Sequence, residues 1–409
     1  MSRRLSRRAS AMCVLLIGMS AGLPARATPS AHAHADPARP HAADRGHVRL
    51  LQESATARLQ PDGSLSDVVG LSASDVWAVG QEDVWEAWQN RSVIAHWDGS
   101  TWTELGIRND ASGAGHLRSV AAASAREIWA VGDGHDGLPY VVRGDGSVFD
   151  RVSVPQFGTG DWLGAVDAIP GRMVAVGSSN RNRNRADPVG GADPRAMIAT
   201  ATAKGWTVWE GDFTGTLYGV TLTRKDEGWA VGDSEDGPVV VRLSDGEWKD
   251  VPVPSIPGGF LRDVYADGAK RAVAVGGVYH GQGKIAPLVL EWNGKRWSRA
   301  SMPQRHAELY GVTGDGEGHY WISGFDPGHP GQAFLLRGGG SGWRVVRGQA
   351  AARPRAVRLQ AVTHVGDLTL AVGHAVDERD RYTDIVERFQ PEDADGAAAP
   401  RPEGTPPER

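Results

Sequence analysis

Seven times along this chain a Leu-x-x-Val pair is followed, 14 or 15 residues after its Leu, by a Gly that closes a Trp-Ala-Val-Gly string or a variant of it. The pairs are Leu65/Val68, Leu117/Val120, Leu163/Val166, Leu217/Val220, Leu261/Val264, Leu309/Val312 and Leu359/Val362, and the glycines are Gly80, Gly132, Gly177, Gly232, Gly276, Gly324 and Gly373. Neighbouring glycines lie 44 to 55 residues apart. A period of that length, holding several short apolar runs per unit, predicts an all-β chain folded as a seven-bladed β-propeller with four antiparallel strands per blade. The repeats fill residues 46–391, so the 409 residues are expected to hold one such domain rather than two.

The first unit shows how a blade is read. Leu65 to Leu71 is the inner strand, Ser72-Ala73-Ser74-Asp75 a turn of residues that bond their own backbone, and Val76 to Gly80 a second strand apolar on both faces. Val93 to Trp97 is the third strand, Asp98-Gly99 a hairpin turn, and Thr101 to Leu105 the fourth. Asp145-Gly146, Asp245-Gly246 and Asn293-Gly294 repeat that turn. Most of the 15 tryptophans recur at fixed positions: Trp77, Trp129, Trp229 and Trp321 in second strands, Trp97 and Trp292 in third strands, and Trp102, Trp206, Trp248, Trp297 and Trp343 in fourth strands. A large ring recurring at one position is expected to fill the space between blades. The seventh unit runs into a proline-rich tail before a fourth strand. Residues 46–51 match the fourth-strand pattern of residues 342–346, so the N-terminal strand is predicted to complete the last blade and cover two open edges.

The ends read as processing and tail segments. Four arginines precede an apolar run from Ala11 to Leu23, followed by Ala25-Arg26-Ala27, the pattern of a cleavable export signal over residues 1–27. No segment has the roughly 18 continuous apolar residues of a membrane span. Cys13, the single cysteine, lies in that signal, which leaves the mature chain without disulfides or thiolate chemistry. Loss of the signal takes five arginines and no acids, carrying the formal charge from −5 to −10. Such a chain is a poor ligand for nucleic acid, whose affinity rests on Lys and Arg. Residues 28–45 and 392–409, rich in Pro and Ala, lack hydrophobic period and are expected to be disordered. A secreted monomer with no cofactor is the expectation.

Ser-x-x-Asp-Val-Trp-Ala-Val-Gly at residues 72–80 and His-Trp-Asp-Gly-Ser-Thr-Trp at residues 96–102 resemble a group of secreted β-propeller repeat proteins common in actinobacteria. The broader resemblance is to kelch-like, galactose-oxidase-like and sialidase-like propellers. It implies the fold and not a reaction: a galactose-oxidase-like site needs a tyrosine crosslinked to cysteine, and Asp98 abuts Gly99 without the residue that a sialidase Asp-box places between them.

Propellers usually bind at the mouth of the central channel, on the face where second strands join third strands. Loops on that face carry Trp85 and Trp88 in the first blade and Arg181 and Arg183 in the third, while Trp162 and Phe260 directly precede inner strands. Together they are read as a possible aromatic floor with polar edges for a glycan or a protein segment. The competing readings are an outer-edge cap for Trp85 and Trp88, a solvated loop for the arginines, and a channel plug for Trp162 and Phe260. His280, His329 and His374, with Asp326, Asp377 and Asp380, follow the last three second strands and form a second candidate ligand group. A secreted binding module is the leading expectation. A polysaccharide hydrolase or lyase using the carboxylates of Asp326, Asp377, Glu378 and Asp380 is the alternative, and an extracellular scaffold a third.

Overall fold

The computed structural model describes residues 59, 62–85, 89–110, 112–181, 194–340, 342–348 and 355–389. Among the described residues there are seven antiparallel sheets and no helix, so none is long and apolar enough to cross a membrane. Each sheet runs inner to outer in chain order, apart from one added outer strand in the second, and the inner strands are Ser64–Ser72, Ala114–Ser124, Asp161–Ile169, Thr216–Arg224, Gly259–Ala266, Glu308–Gly314 and Ala356–Val365. The architecture is a seven-bladed β-propeller. The second blade has an extra outer strand, Ile107–Arg108, lying parallel to Phe149–Arg151. The last blade has three strands among the described residues, and the closing strand expected over residues 46–51 lies outside them.

The repeat has a direct physical cause. In all seven blades its Leu pairs with its Gly across the first hairpin. A Cβ built on that glycine would lie 1.8 to 2.1 Å from the carbonyl oxygen of the residue before the Leu, at Ser64, His116, Trp162, Thr216, Phe260, Glu308 and Arg358 in turn. Only glycine lets the two strands approach so closely.

Seven apolar clusters hold the ring, one at each seam between blades. The cluster joining the last blade to the first packs Leu368, Leu370, Val372 and Val386 against Leu65, Val76, Ala78 and Val93, so the ring is closed. The second-strand tryptophans fill these seams as expected: Trp77, Trp129, Trp229 and Trp321 are all buried. Each is paired in register with a third-strand His or Arg: His96, Arg143, Arg242 and Arg337. His96 stacks on Trp77 at 4.1 Å, and the guanidinium groups lie 4.9 to 5.3 Å from the other three ring centroids. In three blades an acid two residues before the Trp, Asp75, Glu127 or Glu227, lies within reach of that His or Arg. Acid, ring and the facing His or Arg thus interlock as one unit, although in the fourth blade the Trp229 indole N–H and the Arg242 Nε have no hydrogen-bond partner among the described residues.

Candidate functional site at the channel mouth

A β-bulge follows the repeat Leu in every blade. Pairing jumps from Leu65 to Asp67, Leu117 to Ser119, Leu163 to Ala165, Leu217 to Gly219, Leu261 to Asp263, Leu309 to Gly311 and Leu359 to Ala361. The skipped residues are Ser66, Arg118, Gly164, Tyr218, Arg262, Tyr310 and Gln360. A bulge re-aims the side chain it frees, and here that happens once per blade at the same level of the channel.

Just below this level the channel is a cavity of 630 Å³, lined by Asp67, Asp167 and Asp263 among valines, alanines and hydroxyl residues. Its polar side chains tie neighbouring inner strands together. Asp67 accepts from the Val120 amide at 2.9 Å and the Ser119 hydroxyl at 2.7 Å, Asp167 from the Leu222 amide at 2.6 Å, and Asp263 from the Val312 amide at 2.7 Å. The Ser119 and Thr363 hydroxyls accept in the same way from Val166 and Gly70. Burial raises all three carboxyls, Asp67 and Asp167 to about 6 and Asp263 to about 7, and their hydrogen bonds offset it only in part.

Above the aspartates the mouth is built of arginines and aromatic rings. Arg118 makes a bidentate ion pair with Asp133, at 2.6 Å for its closest contact, and lies over the Trp162 ring at 5.3 Å. The Trp162 ring meets Tyr218 edge to face, and its edge sits where a side chain on Gly164 would be. Tyr218 hydrogen-bonds Asp233, whose carboxyl burial raises to about 6. Arg262 lies 5.4 Å from the Phe260 centroid and 5.1 Å from that of Tyr310. Arg358 bonds Glu308 at 3.0 Å and the Tyr310 hydroxyl, and lies 4.0 Å from the Phe325 ring.

Of the residues singled out from sequence, Trp162 and Phe260 are in this mouth. They stand at its wall, supporting arginines, and do not line the 630 Å³ cavity beneath. Trp85, 39% exposed, packs edge-on against Tyr382 of the last blade, so it marks the seam between the first and last blades and not the outer edge of the first. Arg181 is not a free loop cation: it binds the buried Asp161 and the Gln156 carbonyl. Trp88 and Arg183 lie outside the described residues.

The histidine and aspartate group does not form a shared site. His374 is a buried second-strand residue, 2.9 Å from the Ser64 hydroxyl and packed on Tyr382, and burial lowers its pKa to about 3. His280 is exposed on its own turn. Asp326 is buried and bound by Arg347 and by His329 at 3.2 Å. Burial pushes its carboxyl up, but Arg347, the Gly328 amide and His329 together hold it below the usual range. Asp377 accepts from the amides of Arg379 and Arg381 and from the Arg381 side chain, and Asp380 binds Arg355. Each carboxylate is matched to its own cation, which suits turn structure.

The residues that sequence reasoning missed are Arg118, Tyr218, Arg262, Tyr310 and Arg358. For the first four a signal was present, because the residue after each repeat Leu reads Ser, Arg, Gly, Tyr, Arg, Tyr, Gln: variety inside an otherwise fixed string.

No family model matches the chain, and no curated protein is similar to it. Solved propellers are similar in fold. A structure described as YCF48 bound to D1 peptide superposes with a TM-score of 0.54 at 15% identity, covering 82% of this chain and 95% of that one. The WD40 β-propeller domain of Doa1 gives 0.53 at 10% identity over 83% and 97%. A GH74 enzyme from Niastella koreensis gives 0.53 at 12% identity, over 80% of this chain and 54% of that one.

Proposed function

We propose that this protein is a secreted binding module whose ligand site is the channel mouth, and that its ligand is a segment of polypeptide. The observation that carries this is the convergence of Arg118, Trp162, Tyr218, Arg262, Tyr310 and Arg358 from six different blades on one opening. Mouth loops and bulges on a rigid ring are where such scaffolds place recognition. The state of the rings favours polypeptide over glycan. Sugar stacking needs an open aromatic face, whereas Trp162, Phe260, Tyr310 and Phe325 each have an arginine guanidinium over the ring. The similar propeller solved with a peptide supports the same reading. A hydrolase reading has less support, since Asp326, Asp377 and Asp380 are each neutralised by a neighbouring arginine. Export follows from the N-terminal segment, and the ring is proposed to be completed by the strand at residues 46–51.

The test is a paired screen of purified protein on peptide and glycan arrays, with a Trp162→Ala variant alongside. Peptide binding that the variant loses supports the mouth. Binding that Trp162→Ala keeps and Trp85→Ala loses moves the site to the seam between the first and last blades.

A further inference from the structure

The three arginines of the mouth are not equivalent. Arg118 has Asp133 and Arg358 has Glu308, each within ion-pair distance. Among the described residues Arg262 has neither a hydrogen bond nor an ion pair; it lies between the Phe260 and Tyr310 rings and is acted on by Asp233 only through space. Arg262 is half-buried, and its guanidinium nitrogens are not among the buried side-chain atoms left without a partner, so its planar donors face the solvent of the mouth and are available to a ligand. The two rings flank it and limit its freedom, so less is lost when a ligand binds.

We propose that Arg262 is the anchor for a carboxylate on the ligand, an Asp or Glu side chain or a free C-terminus of the bound polypeptide. The assignment rests on the mouth being the ligand site. A carboxylate presents two oxygens at the spacing of the guanidinium fork, and the pair so formed is a charge-assisted bidentate contact. Arg118 and Arg358 are already matched by Asp133 and Glu308, so a ligand carboxylate gains most at Arg262. The carboxylates of Asp133 and Glu308 then repel an acidic group placed off register, which makes the position selective as well as attractive.

The experiment uses arrays of random decapeptides displayed in two orientations, with the C-terminal carboxylate free or consumed in the linkage, together with galacturonate oligomers. These are probed with the parent protein and with Arg262→Met, Arg262→Lys and Trp162→Ala, each checked for an unchanged melting temperature. The expected result is selection of Asp- and Glu-containing or free-acid peptides, weakened about 10- to 100-fold by Arg262→Met and partly restored by Arg262→Lys. The two display orientations distinguish a side-chain carboxylate from a C-terminal one. Peptide binding that Trp162→Ala abolishes but Arg262→Met leaves unchanged, with no acidic preference, overturns the anchor and keeps the mouth. Binding of galacturonate oligomers without any peptide overturns the polypeptide assignment itself.

Discussion

Replacing Gly276 by alanine tests the cause of the repeat. The new Cβ would stand 2.1 Å from the Phe260 carbonyl oxygen and 2.8 Å from the Leu261 Cα, both backbone atoms of the adjoining inner strand. An ordinary contact needs roughly an ångström more, so the fifth inner strand must separate from its partner at the Leu261/Gly276 pair. Forcing a methyl into packed backbone costs about 1–3 kcal/mol, and losing one or two cross-strand hydrogen bonds adds about 1 kcal/mol each. The sum is about 2–5 kcal/mol. With an unfolding entropy near 2.1 cal/mol/K per residue, a ring of this size should lose about 3–7 °C of melting temperature if it unfolds as a unit. Gly106→Ala is the control, because that exposed glycine has no atom within 4 Å of its would-be Cβ; its change should stay within about 0.5 kcal/mol. Differential scanning calorimetry of the two variants decides the matter. Equal melting temperatures would refute close approach as the reason for the seven glycines.

Other outcomes follow from the same structure. Trp229→Ala empties a fully buried seam and removes the ring over which Arg242 sits, and should cost about 3–5 kcal/mol in chemical denaturation; Trp85→Ala, at a 39% exposed ring, should cost less than about 1 kcal/mol. Deleting residues 46–52 should lower thermal stability strongly, since it removes the strand proposed to complete the last blade; an unchanged melting temperature excludes that role. Carboxyl-detected NMR should find Asp263 titrating near 7 and Asp67 near 6. Because these folded-state values lie above the unfolded one, their contribution to stability is fully present below about pH 4 and is lost as the pH rises through 6 to 7. Titration of Asp263 below about 4.5 would show that its hydrogen bonds outweigh its burial.

The ring was legible because its repeat is a backbone requirement written in residue identity. The Leu261/Gly276 type of pair recurs at one register in every blade, and the second-strand tryptophans Trp77, Trp129, Trp229 and Trp321 each fill a different seam. The mouth was harder to read. Trp162 and Phe260 were recognisable as large rings just ahead of inner strands, but Arg118 and Arg262 sit one place after the repeat Leu, where simple strand alternation conceals that the residue is displaced by a bulge. The channel aspartates escaped for a different reason. Asp67 and Asp263 lie two residues after their Leu and Asp167 lies four after, so no common motif unites them, although all three reach an amide of the next blade. Long-range matching of His374 to Ser64 and of Trp85 to Tyr382 depends on the first and last blades meeting, a relation that has no local signature.

The bulge after each repeat leucine separates heritable shape from heritable taste. Positions 66, 118, 164, 218, 262, 310 and 360 are skipped by the strand ladder, so their side chains carry little of the register that defines the ring. Seven such positions form a circular alphabet in which letters can be exchanged while the glycines and tryptophans keep the page flat. A combinatorial library confined to six of those codons, leaving Gly164 in place because the Trp162 ring fills the space its side chain would need, should return mostly folded proteins, and selecting it against new targets would use the propeller as a recognition scaffold with a small, enumerable address space.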